Sequence, residues 1–191
     1  DHPLVRRFDP AERSREGLEG LAQEAVTSFR RLATVELPHR VDRYPTSRYS
    51  LLELRPRTGR RHQLRRHLAH ASHHIVGDST YGKGRHNQLF RDHYDCRRLL
   101  LASVELALSH PVTGERLEVT APLDEMTTVA GSISRGDFSR RVRGADRRDE
   151  LGDLASTINR MADDLEAVDR HRKELVADVS HELRTPIAAL R

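Results

Sequence analysis

The sequence predicts two folds in one chain: α+β for residues 1–121, mainly antiparallel sheet with a short helix, and an all-α coiled coil for residues 122–191. Periodicity carries the division. Apolar residues alternate at period two in several runs before residue 121, and step by three and four after residue 122. Charge divides at the same place. The whole net charge of +4 falls in the first 125 residues, because residues 126–191 hold equal numbers of basic and acidic side chains. Of the 12 histidines, only His171 and His181 lie in that later part.

With 36% hydrophobic and 32% charged residues the chain reads as soluble, and its cores must be aliphatic, since aromatics make up 4% and Trp is absent. The single Cys96 excludes an internal disulfide framework and suits a reducing compartment. No apolar run approaches the roughly 18 residues of a membrane span, and the start DHPLVRRFDP lacks a signal-peptide pattern, so a cytoplasmic location is expected. The basic excess of the first part suits a polyanion such as RNA, or is the surface of a protein from an Arg-rich genome.

Taken in order, residues 1–23 mix Pro, Gly and charge and read as loop or frayed terminus. The apolar residues from Glu24 to Leu37 permit a strand pair or a short helix, and Phe29 to Leu37 is read as a strand. Arg48 to Arg55, with Leu52 and Leu54 alternating, reads as a second strand that Pro56 and Gly59 stop. A helix follows from Arg60 to Ala71, with Leu64, Leu68 and Ala71 on one face, and a turn at Gly77-Asp78 comes after it. Ala102 to Leu108 and Leu117 to Ala121 alternate on either side of HPVTGE, which predicts a hairpin.

Beyond residue 122, Leu123, Met126, Ala130 and Ile133 mark a helix that Gly136 ends. A polar connector follows, anchored by Phe138 and Val142, and Asp149-Glu150 opens the next helix. There Leu151, Leu154, Ile158, Met161, Leu165, Val168, Leu175, Val179 and Leu183 hold a 3,4 spacing, interrupted at Arg172. Such a seam predicts a coiled coil, with a parallel homodimer through residues 122–191 as its simplest form. Packing of the helix on its own chain's sheet is the other way to bury the stripe.

Residues 55–82, RPRTGRRHQLRRHLAHASHHIVGDSTYG, resemble the motif of RluA-type pseudouridine synthases, a TGRxHQ-(L/I)-R-x-H helix start followed by GD-x-x-YG. With RYPTSRYSLLEL, GRHNQLFRDHY and RLLLASVELALSHPVTGERLEV, residues 1–121 are most similar to the tRNA-directed TruC branch. The resemblance implies isomerisation of uridine to pseudouridine in tRNA on a partial synthase fold, with the base taken out of its stack and no metal or organic cofactor. Arg60, Arg61, His62, Arg65 and Arg66 are the expected RNA contacts, guanidinium forks and backbone amides holding phosphates without regard to sequence. In the family an arginine of this motif pairs with the nucleophilic aspartate of RLD-x-x-TSG. Arg60 and Arg65 are the candidates for that role, simple phosphate binding being the alternative.

Asp42 in HRVDRYPTS is not read as the nucleophile: it lies too close before Arg60, and the D-R-Y-P-T-S-R spacing lacks the glycine. The catalytic aspartate, and the base-stacking tyrosine with it, are expected upstream of residue 1. His67, His70, His73 and His74 have the look of a metal cluster, but no carboxylate ligand is near in sequence and no metal site is expected.

Residues 122–170 resemble a HAMP linker, a dimeric four-helix signalling unit, and residues 171–191 resemble the start of the HisKA dimerisation hairpin, where KELVADVSHELRTPIAALR matches the H-box. That resemblance implies a sensor histidine kinase with His181 as phosphoacceptor, Glu182 as base, and Thr185 acting in the reverse reaction. Pro186 would bend the helix. Mg-ATP would bind a kinase domain outside this chain, a response regulator would be the partner, and the kinase parent would sit in the inner membrane. By itself the chain is then expected to bind no cofactor and to be inactive as either enzyme. APLDEM can end one family and begin the other, so recombination, gene-model fusion or misassembly can each explain the join, an inert dimeric signalling fragment being the alternative product.

Overall fold

The structure, a computed structural model, describes residues 2–5, 21–121 and 124–188, with side chains followed as far as residue 179. It mixes helix and strand, and its described strands form three separate two-stranded antiparallel pairs. The first pair, β1 (Leu4–Val5) with β2 (Ala22–Gln23), lies in the stretch expected to be loop. The intervening residues 6–20 of that stretch lie outside the described ones. His2 donates its backbone N–H to the Ala25 carbonyl, and Arg66 donates to the carbonyl of Val5, so contacts distant in sequence order this segment.

The principal hairpin is β3 (Thr27–Leu37) with β4 (Ser47–Pro56), in a register that sets Val35 opposite Tyr49 and Leu37 opposite Ser47. A bulge between Arg31 and Ala33 shifts the pairing. The connecting loop, residues 38–46, folds back through a bridge between Val41 and Tyr44, with Asp42 at φ 58°.

The helix expected over Arg60–Ala71 is shorter: α1 spans Gln63–His70. His62 takes left-handed backbone (φ 53°) and so cannot extend the helix backwards, while Ala71 caps the end. Leu64 and Leu68 are half-buried and Ala71 is exposed, so the expected apolar face is only partly used. Residues 84–94 were not expected to be helical, yet α2 (Gly84–Tyr94) buries Asn87, Leu89, Phe90 and Tyr94. Three apolar side chains among charged and histidine neighbours leave too weak a periodicity to read.

The hairpin β5 (Glu105–Ser109) with β6 (Arg116–Thr120) forms as expected, pairing Leu106 with Val119 and Leu108 with Leu117. Its alternation does not mark a buried face, for all ten residues are exposed.

In the last part, α3 (Asp124–Ser134) ends in a Schellman motif: the N–H of Gly136, at φ 86°, reaches the Ile133 carbonyl and that of Asp137 reaches Ser132. Leu123 lies outside the described residues. The connector is held by Val142, whose N–H donates to Asn159 Oδ1 (2.7 Å) and whose carbonyl accepts from Asn159 Nδ2 (2.9 Å). Then α4 (Glu150–Ala188) opens on Asp149, which accepts from the Gly152 N–H at 2.9 Å. The Arg147 guanidinium, aided by that amide, holds the Asp149 carboxyl down at about 2.

Two apolar clusters result. One joins Leu37, Val41, Leu89, Phe90, Tyr94 and Cys96 to Met161 of α4. The other joins Met126, Val129 and Ile133 to Val142, Ala155, Ile158 and Ala162. Val35 and Leu165 touch both. The α4 stripe is therefore packed on its own chain through Leu165, whereas Val168, Leu175, Val176 and Val179 are exposed. No described helix is long and apolar enough to cross a membrane.

Candidate nucleic-acid interface

Gln63 opens α1 and is 4% exposed, with no charge to satisfy, so all its amide valences must be met inside the protein. They are. Its Oε1 accepts from Thr58 Oγ1 (2.8 Å) and the Arg60 N–H (3.0 Å), and its Nε2 donates to the Val26 carbonyl and Thr27 Oγ1, both at 3.0 Å. One side chain thus ties the Thr58–Arg60 turn to the start of β3. Sequence reasoning missed this role, although the Q of TGRxHQ was visible.

That turn carries Arg60, Arg61 and His62 ahead of α1 rather than within it. Arg60 Nε donates to the Glu24 carbonyl (3.0 Å), Arg61 is exposed, and His62 Nδ1 lies 3.3 Å from Tyr81 Oη. Arg65 and Arg66 stand in the first turn of the helix, Arg66 reaching Val5.

Arg65 has a different environment. Its Nε and Nη2 donate to Asp78 Oδ2 (2.8 Å) and Oδ1 (2.7 Å), a two-point pair in which the Asp78 side chain is 1% exposed. The backbone N–H groups of Thr80 and Tyr81 also donate to Asp78 Oδ1. The Arg65 guanidinium, then these amides, outweigh burial and hold the Asp78 carboxyl down at about 2, so it is ionised at neutral pH. The guanidinium carbon lies 5.1 Å from the centre of the Tyr81 ring.

The GD-x-x-YG turn is fixed around this pair. Gly77 has φ 78°, and a Cβ there would lie 1.8 Å from the Arg98 carbonyl oxygen, so only glycine fits. Asn87 of α2, also missed from sequence, accepts from the Gly77 N–H and donates to the Asp78 carbonyl. The result is a rigid carboxylate–guanidinium–tyrosine stack beside an exposed basic turn. Such an arrangement can hold phosphates on the turn and present a fixed cation behind them.

Asp42 sits elsewhere, on the β3–β4 loop, where it pairs with Arg85. Neither Arg60 nor Arg65 bonds to it among the described residues. The histidines on and after α1 diverge: His67 bridges Thr27 Oγ1 and the His2 carbonyl, His70 stacks on His2 at 3.5 Å, and His74 Nδ1 meets the Tyr81 carbonyl. Among the described residues no group of three His, Cys, Asp or Glu could hold a metal. His181, Glu182 and Thr185 fall on the last stretch of α4, where their side chains lie outside the described residues.

Residues 9–70 match the model of the family described as RNA pseudouridylate synthase, and residues 117–167 match that of the HAMP domain. The chain joins a pseudouridine synthase segment to a HAMP segment. Its curated relatives agree for the first segment. It is 47% identical over 125 residues to tRNA pseudouridine synthase C of Vibrio parahaemolyticus, covering 65% of this chain and 51% of the relative. The protein of that name from Vibrio cholerae is 48% identical over 126 residues, 66% of this chain and 52% of the relative. That from Salmonella typhi is 50% identical over 125 residues, 65% and 48%. The chain spans about half the length of the curated relatives it matches. The synthase segment so identified contains the basic turn, Arg65 and Gln63, and the HAMP segment contains α3, the connector and the packed half of α4.

Proposed function

We propose that residues 1–121 are the RNA-gripping part of a tRNA pseudouridine synthase, with Arg60, Arg61, His62 and Arg66 on the phosphates. Arg65 is held ready to face a nucleophilic aspartate. The observation that carries this reading is the Arg65–Asp78 pair, which fixes a cation immediately behind the exposed turn. In the reaction the aspartate attacks the nucleoside, the glycosidic bond breaks, and the base rotates and is rejoined through carbon five, so no atom is gained or lost. No RLD-x-x-TSG stretch occurs in the 191 residues. The chain alone is therefore expected to bind tRNA without turning it over, and no cofactor takes part.

The test is fluorescence anisotropy with a folded tRNA, alongside a uridine-conversion assay. Replacing Arg60 and Arg61 together by Gln should weaken binding roughly tenfold and flatten its salt dependence. Equal affinity for wild type and double variant would remove the turn from the interface, and uridine conversion by the chain alone would show that it holds a nucleophile.

A specific motif supports a second reading for the other segment. SHELRTP at residues 180–186 makes residues 171–191 the start of a HisKA phosphoacceptor domain behind a HAMP linker at 122–170. His181 would take the γ-phosphoryl group of Mg-ATP bound to a kinase domain, with ADP leaving and Glu182 holding the imidazole nitrogen unprotonated. Thr185 would act in the reverse reaction, and a response regulator would receive the phosphate. The homodimer through residues 122–191 is supported by the seam left exposed at Val168, Leu175 and Val179. Adding such a kinase domain and ATP should place acid-labile phosphate on the chain, and H181Q should abolish it. Labelling that survives H181Q would move the acceptor to another residue.

A further inference from the structure

Away from the Arg60–Arg66 turn, the β3–β4 loop and the start of α2 enclose a second basic groove of about 650 Å³. Arg40, Arg43, Lys83 and Arg85 line it, together with Asp42 and Ser47. Four cations thus face one carboxylate there, and Asp42 is committed to Arg85. Glu36 accepts from Thr46 Oγ1, a lining residue, at 2.5 Å. Lys83 has no acidic partner among the described residues. His86 does not add charge, since burial lowers its pKa and its Nδ1 faces Tyr49 Oη at 2.8 Å.

Two further features suit an anion. Lys83 is the N-cap of α2 and provides no side-chain cap for the first amides of this 11-residue helix, and Lys83, Arg85 and His86 of the same helix start line the groove. Ser47 is 5% exposed and lines the groove beside Tyr49, and its Oγ makes no well-formed hydrogen bond among the described residues. A buried hydroxyl without a partner is destabilising unless something completes it. A phosphate oxygen would.

We infer that this groove is a second phosphate site, taking a phosphodiester of the same tRNA through Arg40, Arg43, Lys83, the α2 amides and Ser47. The inference rests on the RNA-binding reading above, but uses none of its residues. A cluster of this kind offers one or two phosphate contacts at a fixed place, so it would set the orientation of the RNA rather than read its bases.

The experiment compares wild type, R40Q/R43Q, R60Q/R61Q and S47A by tRNA anisotropy over a salt series, and by thermal unfolding with inorganic phosphate. R40Q/R43Q should lose roughly fivefold or more in tRNA affinity, with a salt slope smaller by about one. Wild type should be stabilised by phosphate, and S47A should lose part of that gain while unfolding no earlier than wild type without phosphate. If R60Q/R61Q weakens tRNA binding and R40Q/R43Q does not, the groove is no RNA site and the reading above stands. Phosphate stabilisation without any loss of tRNA affinity in R40Q/R43Q assigns the groove to a free phosphate ligand and overturns the RNA proposal. If wild type binds no tRNA and gains nothing from phosphate, both readings fall.

Discussion

Asp78 shows how one residue can serve fold and site together. Its carboxylate accepts two bonds from Arg65 and two from the backbone of its own turn, with 1% of the side chain exposed. Removing one member of a buried, hydrogen-bonded pair strands the other charge, so D78N should destabilise the chain by about 3 kcal/mol at neutral pH. The pH dependence has a definite sign. The folded pKa of about 2 lies below the ordinary 3.8, so the stabilisation is complete above about pH 4 and is lost as pH falls through 2. Urea unfolding at pH 7 and pH 2.5 should therefore show a wide gap between wild type and D78N at the first and a narrower one at the second. Near-equal stability at pH 7 would mean that the pair contributes nothing net. Arg65 was legible in the sequence as a motif residue, but its partner was not. An acid thirteen positions away in a Gly-Asp turn reads as turn chemistry, and it is the close approach of Gly77 to Arg98, with Asn87 holding the turn, that sets it beside the helix.

At the scale of elements, the sequence was clearest where a periodic run ended in a strong stop. β3 and β4 fall within three residues of their expected ends, the second hairpin forms in the expected place, and Gly136 terminates α3. Two kinds of element escaped. α2 has its apolar residues bunched at Leu89, Phe90 and Tyr94, and it is held as well by polar contacts such as those of Asn87, which no hydrophobic count registers. β1 and β2 are two residues each, too short for any period, and exist because His2, Val5 and Ala25 bond to distant groups. The second hairpin carries the opposite lesson. Leu106, Leu108, Leu117 and Val119 alternate as a half-buried strand pair should, yet all are exposed, because alternation reports a preference for pleated structure and not the presence of a cover. The groove beside α2 was illegible for a related reason: its cations come from a loop and a helix start about forty positions apart.

At the scale of the whole molecule, two family models match in turn, over residues 9–70 and 117–167, but the folded chain does not separate the two parts. Met161 belongs to the cluster of β3, β4 and α2, and Asp164 lies 2.6 Å from His39 Nε2 and accepts from Tyr94 Oη at 3.0 Å. Burial, then Asp164, pushes the Tyr94 phenol pKa well up, so its proton stays in that bond. Arg98 reaches Glu150 and Asp153, and Ser134 meets the Thr34 backbone. Of these contacts the buried methionine should matter most, since the ion pairs of Arg98 are exposed and weak. With Val35 and Leu165 shared by both clusters, wild type should unfold in one cooperative transition. Met161→Lys places a charge in the shared cluster and should cost about 3 kcal/mol or more. It should also split calorimetric melting into two steps, as the α3–α4 cluster lets go of the β3–β4 hairpin. Two transitions already in wild type would mean that the segments fold independently, and that Met161 of α4 is free of the β3–β4 cluster to meet a partner helix.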